Sequence, residues 1–148
     1  MQKADKVTKE QYAEAVVKFV DLAQQPTSGG RVAAQVLLSA YNGSEFQLDV
    51  ADLGALDWGN FEIAMMIIRG RYETSCEPHS LIVNGNKIFQ GLWDAWSNLH
   101  VKERGKITCP SCDGRGELFL NPDDENDERT KPCPRCAGKR RICTCSFH

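Results

Sequence analysis

The C-terminal part of the chain is organised around two cysteine repeats, CPSCDGRG at residues 109–116 and CPRCAGKR at residues 133–140. Each repeat begins with a Cys-x-x-Cys turn, which lets two thiolates face the same point. Two such turns supply the four corners of the tetrahedron that a structural Zn²⁺ prefers, and their separation is typical of zinc sites. The spacing therefore predicts one Zn²⁺ with four ligands: Cys109, Cys112, Cys133 and Cys136. Because thiolates fill all four positions, none is left for water, and the predicted metal is structural.

A disulfide framework is the alternative explanation of these cysteines. The chain has seven cysteines, an odd number, and its first six residues, MQKADK, lack the apolar segment of a signal peptide. We therefore expect a cytoplasmic protein, in which thiols stay reduced and paired cysteines bind metal. A thioredoxin-like redox role requires a Cys-x-x-Cys near a βαβ pattern, and the sequence contains none.

The first repeat, residues 109–116, resembles the Cys-x-x-Cys-x-Gly-x-Gly repeat of the DnaJ (Hsp40) zinc-finger domain at every fixed position. The second repeat departs from it at the last glycine, which Arg140 replaces. DnaJ-type domains carry four repeats and two zinc ions, so the resemblance implies one zinc for two repeats. The sequence lacks the His-Pro-Asp motif of a J-domain, so cochaperone activity does not carry over. Similar two-repeat modules occur in late antitermination proteins of lambdoid phages.

Residues 1–105 have the composition and periodicity of a small α-helical domain. Hydrophobic residues make up 41% of the chain and charged residues 26%, as in ordinary globular proteins, and no apolar run approaches the ~20 residues that cross a bilayer. Apolar residues recur at helical spacing, and cap and turn residues divide the region. The predicted helices are 8–24, with a capping box of Thr8 and Gln11; 28–41, stopped by a left-handed Asn42-Gly43; a brief helix capped by Asp49; 58–68, capped by Asp57; and 86–99.

The segment 58–68 is apolar almost all round, which predicts a helix at the centre of the core. Residues 70–85 are rich in turn formers and are predicted to be a connector. The three tryptophans are predicted to be core residues rather than a platform for base stacking: Trp58, Trp93 and Trp96.

The helical region also resembles an uncharacterised small domain of phages and bacterial mobile elements. The resemblance rests on RVA at 31–33, LLSAYN at 37–42, DVADL at 49–53 and LWDAW at 92–96. It implies an origin in a mobile element and transfers no activity.

Residues 106–148 are predicted to form a separate zinc-binding module. Short strands are expected around Ile107 and at 117–120, 129–131 and 140–143, and the apolar-free segment 123–128 is expected to be an exposed acidic loop. A module of this size cannot build a sufficient core alone, so the metal must stabilise it. The predicted fold class is mainly α: a small helical domain followed by a C-terminal β-hairpin zinc-binding module.

A second group of metal-binding residue types lies at the end of the chain: Cys143, Cys145 and His148. One interpretation is a second metal site, with Cys76 or His79 as its fourth ligand. Another is that one of the three replaces a member of the first tetrad. The third is free thiols at a frayed terminus, which the usual disorder of chain ends favours.

Four basic residues with no acidic neighbour form what we call the basic strip: Arg135, Lys139, Arg140 and Arg141. Such a strip is suited to contact phosphates without sequence preference. The alternative is a solvated face paired with the acidic loop. Residues 106–148 hold eight basic and seven acidic residues, a small positive excess for a nucleic-acid-binding domain.

The sequence contains no Ser-His-Asp grouping, no phosphate-binding Gly-rich loop and no His-Glu-x-x-His motif, so we expect a protein that is not an enzyme. No membrane association and no small-molecule substrate are expected. The leading hypothesis is a zinc-stabilised accessory protein of a phage or mobile element that contacts nucleic acid or a transcription complex through the zinc module. The alternative is a protein-binding inhibitor of a host system, such as an anti-CRISPR or other counter-defence factor.

Overall fold

The computed structural model of the chain describes residues 5–143, and of Cys143 only the backbone. Cys145 and His148 of the predicted second metal site lie outside the described residues. The chain divides into two compact units, which we call the helical unit, Met1–Lys102, and the cysteine module, Glu103–His148. The helical unit is followed by short antiparallel strands and a cysteine cluster, which confirms the predicted fold class. In the described part of the chain, no helix combines the length and apolar character needed to cross a membrane.

Helix α1, Lys9–Ala23, begins with the predicted capping box. The Thr8 hydroxyl accepts the Gln11 N–H at 3.1 Å, and the Gln11 side chain accepts the Thr8 N–H at 3.0 Å. These two reciprocal bonds satisfy donors that a helix start leaves unpaired. The predicted start of this helix is therefore confirmed.

Helix α2, Ser28–Tyr41, is the central helix of the unit. Eight of its residues are buried, and it packs against α1 and the two helices that follow. Its predicted left-handed stop is wrong, because Asn42 has φ −146°. Instead, the Asn42 side-chain carbonyl accepts hydrogen bonds from Ser44 and Glu45, and a side-chain turn of this kind ends the helix without a positive φ.

Helix α3, Trp58–Thr74, begins at the predicted cap, where Asp57 accepts the Asn60 N–H at 2.8 Å. It continues through the first part of the predicted connector, and Ser75 follows in the left-handed conformation. Its predicted place at the centre of the core is wrong. One face is buried, at Ala64, Ile67 and Gly70.

Three further apolar side chains of α3 are exposed, whereas Ile63, Met65 and Met66 are partly buried against the core. Trp58 is 72% exposed, Ile68 38% and Tyr72 86%. Trp58 is therefore not a core residue, contrary to its prediction. Trp93 and Trp96 are partly buried against the core, as predicted. Apolar character all round a helix thus marked two surfaces, one buried and one exposed.

Helix α4, Gly85–Ala95, follows a short 3₁₀ turn at Pro78–Leu81 and leads into another at Ser97–Leu99. The Trp96 indole N–H donates to the Ala23 carbonyl at 2.7 Å, which ties this end of the unit to α1. Tyr12, Phe19, Phe46 and Phe89 are among the fully buried side chains of the core.

Asp49 and Asp52 stabilise the fold through a helix cap, a hydrogen bond and an ion pair. Asp49 caps the 3₁₀ helix Val50–Ala55 by accepting the Ala51 N–H at 3.0 Å. Asp52 accepts the buried Gln35 side chain at 2.7 Å and pairs with Arg31 at 2.9 Å. These contacts fasten the 3₁₀ helix to α2.

The cysteine module contains two pairs of antiparallel strands. β1, Lys106–Thr108, pairs with β4, Arg141–Cys143, and β2, Glu117–Phe119, pairs with β3, Thr130–Pro132. The strands lie where the sequence predicts them. Among the described residues of the module, the buried cluster consists of the four cysteines and Ile142, with Leu118 packed against it. So few apolar side chains cannot offset the entropy of ordering the segment.

Candidate metal centre

Each Cys-x-x-Cys turn follows a strand, the first after β1 and the second after β3, and the strand pairing brings the two turns together. The metal-ligating atoms of Cys109, Cys112, Cys133 and Cys136 all lie within 4.8 Å of one another, and all four residues are buried. Among the described residues, they are the one group of His, Cys, Asp or Glu with the geometry to hold a metal ion. They are free of disulfide bonds.

The sulfur positions fit a tetrahedral metal. The Sγ atoms of Cys109 and Cys133 are 3.9 Å apart, and those of Cys112 and Cys136 are 3.8 Å apart. A Zn–S bond of about 2.3 Å requires a sulfur–sulfur edge of about 3.8 Å in a regular tetrahedron. Two of the six sulfur–sulfur edges therefore have about the length that a tetrathiolate site requires, and all six are within 4.8 Å.

The two repeats have equivalent backbone hydrogen bonds, in which each holds the start of the other. The Cys109 N–H donates to the Arg140 carbonyl at 2.9 Å, and the Cys133 N–H donates to the Gly116 carbonyl at 2.9 Å. The module therefore has an internal pseudo-twofold arrangement, with Gly116 and Arg140 at equivalent positions.

Those equivalent positions share a left-handed backbone. Gly116 has φ 83° and Arg140 has φ 72°. A side chain at position 116 would be crowded as well, because its Cβ would lie 2.9 Å from the Gly138 carbonyl oxygen. An L-residue other than glycine pays roughly 1–2 kcal/mol in this conformation, so Arg140 is a strained position within the site.

Backbone N–H groups point at the sulfurs. The Gly116 N–H donates to Cys112 Sγ at 3.3 Å. Burial raises the pKa of the Cys112 thiol, but hydrogen bonds from backbone N–H groups and neighbouring thiols outweigh burial and lower that pKa to about 7. Burial is also the main reason that the pKa of the facing Cys136 thiol is above its ordinary value. A thiol with a lowered pKa supplies the thiolate that metals bind.

The other predicted ligands have different surroundings. Cys76, in the helical unit, donates its thiol to the Thr74 carbonyl at 3.5 Å. His79 lies edge-on to the Tyr41 ring, with centroids 4.9 Å apart. The second metal site, which also requires Cys145 and His148, stays a prediction.

Three residues of the basic strip are exposed, and the fourth makes contacts within the module. Arg135, Lys139 and Arg140 are exposed. Arg141 is partly buried, donates to the Lys106 carbonyl at 2.8 Å and lies 3.9 Å from Glu103, so it holds β4 beside β1. Its role is structural.

One carboxylate of the acidic loop is bound by residues on either side of the loop. Asp127 accepts hydrogen bonds from Arg129 at 2.7 and 2.9 Å and from Asn121 at 2.6 Å. The Arg129 guanidinium is the main reason that the pKa of Asp127 is well below its ordinary value. One carboxylate of the loop is thus neutralised by Arg129, the residue that directly follows the loop.

Sequence reasoning missed one basic residue close to the repeats. Lys131 on β3 lines a concavity together with Arg115 and Arg140. It is far from Arg115 in sequence, and the register that sets Leu118 opposite Lys131 brings the two segments together. A correct pairing of the predicted strands 117–120 and 129–131 would have placed it there.

Fold and site together define a small helical protein that carries a C-terminal four-cysteine module. The chain belongs to a family of unknown function (DUF7673), whose model matches residues 13–97, more than half of the chain. The match lies within the helical unit and ends before the cysteine repeats. Searches of curated proteins and of solved structures returned no match.

Proposed function

We propose that the four cysteines bind one structural Zn²⁺. The observation that carries this proposal is the clustering of four buried cysteines within 4.8 Å, with two sulfur–sulfur separations of 3.8 and 3.9 Å that are close to the edge of a Zn–S tetrahedron. Soft thiolate ligands favour zinc over Mg²⁺ or Ca²⁺, and the likeness of the repeats to DnaJ-type repeats supports the same choice. Bound zinc would join the two repeats, so the free energy of metal binding is also free energy of folding.

We further propose that the chain is a non-enzymatic accessory protein of a phage or mobile element. Its cysteine module, with zinc bound, contacts nucleic acid or a transcription complex. Arg135, Lys139 and Arg140 are exposed on a short segment that contains Cys136, one of the proposed zinc ligands. Cations fixed by a rigid scaffold bind phosphates with little loss of conformational entropy.

The test is the binding of a fluorescently labelled DNA duplex, and of an RNA strand of equal length, across a salt titration. Changing Arg135, Lys139 and Arg140 together to Gln should weaken binding and reduce the salt slope by about 1 for each phosphate that the variant no longer neutralises. Arg141 is left unchanged because it holds two strands together. Lys87→Gln removes an exposed charge from the helical unit and should bind as the wild type does. Absence of wild-type binding at low salt, or identical curves for the triple variant, contradicts the proposal.

A protein-binding inhibitor of a host system, such as an anti-CRISPR or other counter-defence factor, is the second candidate. The exposed face of α3 favours it, because Trp58 and Tyr72 are mostly uncovered and aromatic residues of this kind anchor protein interfaces. Immobilised wild type should retain a host protein that the Trp58→Ser/Tyr72→Ser variant releases. Equal retention by both proteins would remove this candidate.

A further inference from the structure

A polar concavity of about 280 Å³ lies on the cysteine module, between the β2–β3 pair and the ends of the two repeats. Three cationic side chains line it: Arg115, Lys131 and Arg140. They come from three separate segments of the chain, and two of them lie outside the basic strip. The concavity is thus a feature of the folded module rather than of any run of sequence.

The charge of the concavity is positive and largely uncompensated. Glu117 is the one carboxylate in its lining, and that side chain accepts a hydrogen bond from the Thr130 hydroxyl at 2.9 Å. In the described part of the module, ion pairs include those of Lys106 and Arg141 with Glu103 and of Arg129 with Asp127. The three cations of the concavity take part in none of these pairs.

The backbone conformation of Arg140 is a second reason to assign a ligand to the concavity. The equivalent position in the other repeat is Gly116, and both positions have the left-handed backbone that suits glycine. Strained positions persist where the surroundings enforce them, and they cluster at functional sites. An arginine at this position accepts strain that glycine would avoid, and it places a guanidinium beside the concavity.

We propose that the concavity binds a phosphate group of a nucleic-acid backbone. Guanidinium groups match the planar, two-oxygen face of a phosphate, and a lysine adds a point charge. The inference rests on the proposed nucleic-acid function and deepens it. The contact surface runs from the basic strip through Arg140 to β2 and β3, and the phosphate seats against Arg115 and Lys131.

The experiment uses full-length, zinc-loaded protein and the labelled duplex across a salt titration. Arg115→Gln/Lys131→Gln alters only the concavity, and Lys139→Gln alters only the basic strip. Lys87→Gln, on the helical unit, is the control that matches Lys139→Gln in charge. The concavity variant should bind about tenfold or more weakly at low salt, with a salt slope reduced by about 1 to 2. Zinc content and melting temperature should match those of the wild type.

The outcomes separate the two proposals. Wild-type affinity and slope in the concavity variant, together with weakened binding by Lys139→Gln, would overturn the concavity and leave the nucleic-acid function standing. Absence of duplex binding by the wild type would overturn both.

Arg140→Gly is the second variant, chosen because glycine suits the backbone at that position. It should lose affinity for the duplex without a lower melting temperature. Retained affinity in this folded variant would overturn the inference even if the double variant failed to fold.

Discussion

Gly116 and Arg140, the equivalent positions of the two repeats, allow one prediction to be worked out in both directions. Gly116→Ala places a Cβ on a backbone with φ 83° and 2.9 Å from the Gly138 carbonyl oxygen. The left-handed conformation costs about 1–2 kcal/mol, and the close contact adds about 1 kcal/mol or more. Alanine restricts the unfolded chain more than glycine does, which offsets up to about 1 kcal/mol.

The net strain of Gly116→Ala is therefore about 1–3 kcal/mol. Because the proposed zinc binding is coupled to folding of the module, that strain should appear in the zinc affinity, which is expected to fall about 5- to 150-fold. Arg140→Gly removes strain at the equivalent position and should tighten zinc binding by up to about fivefold. The two variants thus shift the dissociation constant for zinc in opposite directions.

Competition with a chromophoric chelator measures both affinities on full-length reduced protein. Far-UV circular dichroism monitors the helical unit, which should be unchanged in both variants. Equal zinc affinities for Gly116→Ala and the wild type would refute the reasoning, since they would mean that the backbone at position 116 does not depend on glycine.

Two further predictions concern the helical unit. Gly70→Ala would place a Cβ 2.4 Å from the Tyr12 ring, so we expect a loss of about 1–3 kcal/mol in urea unfolding, whereas Gly91→Ala, with open space around its Cβ, should gain up to about 1 kcal/mol. The Glu73 carboxylate accepts the Val7 N–H at 2.6 Å, and this bond is the main reason that its pKa is lowered. Its stabilising effect is present above the unfolded-state pKa and is lost as the pH falls through the folded-state pKa. Glu73→Gln should therefore lower the urea midpoint at pH 7, and the difference from the wild type should shrink in acid; a gap that does not depend on pH would contradict this.

Local signals in the sequence predicted the local features of the fold. The Thr8–Gln11 capping box and the Asp57 cap depend on residues three positions apart, so they can be recognised without knowledge of the tertiary structure. The cysteine spacing likewise identified the cluster, because two Cys-x-x-Cys pairs at this separation are typical of a zinc site.

Features that depend on neighbours distant in sequence were harder to predict. Periodicity shows that α3 is apolar, but only the packing of α1 and α2 decides which face is covered, and Trp58 lies outside that face. Helix α2 ends with hydrogen bonds to the Asn42 side chain instead of a left-handed turn. The amino-acid composition of this segment does not distinguish the two kinds of helix end. Lys131 joined Arg115 only through the strand register.

The central claim is that one metal ion, held by four thiolates, folds the cysteine module. Elemental analysis of reduced, tag-free protein tests it most directly. We expect about one zinc per chain, absent from Cys112→Ser and kept in the matched Cys76→Ser variant, with the helical signal preserved in both. A ratio near two would indicate the additional site at Cys143, Cys145 and His148. Metal-free protein, or disulfides among the four module cysteines, would contradict the claim.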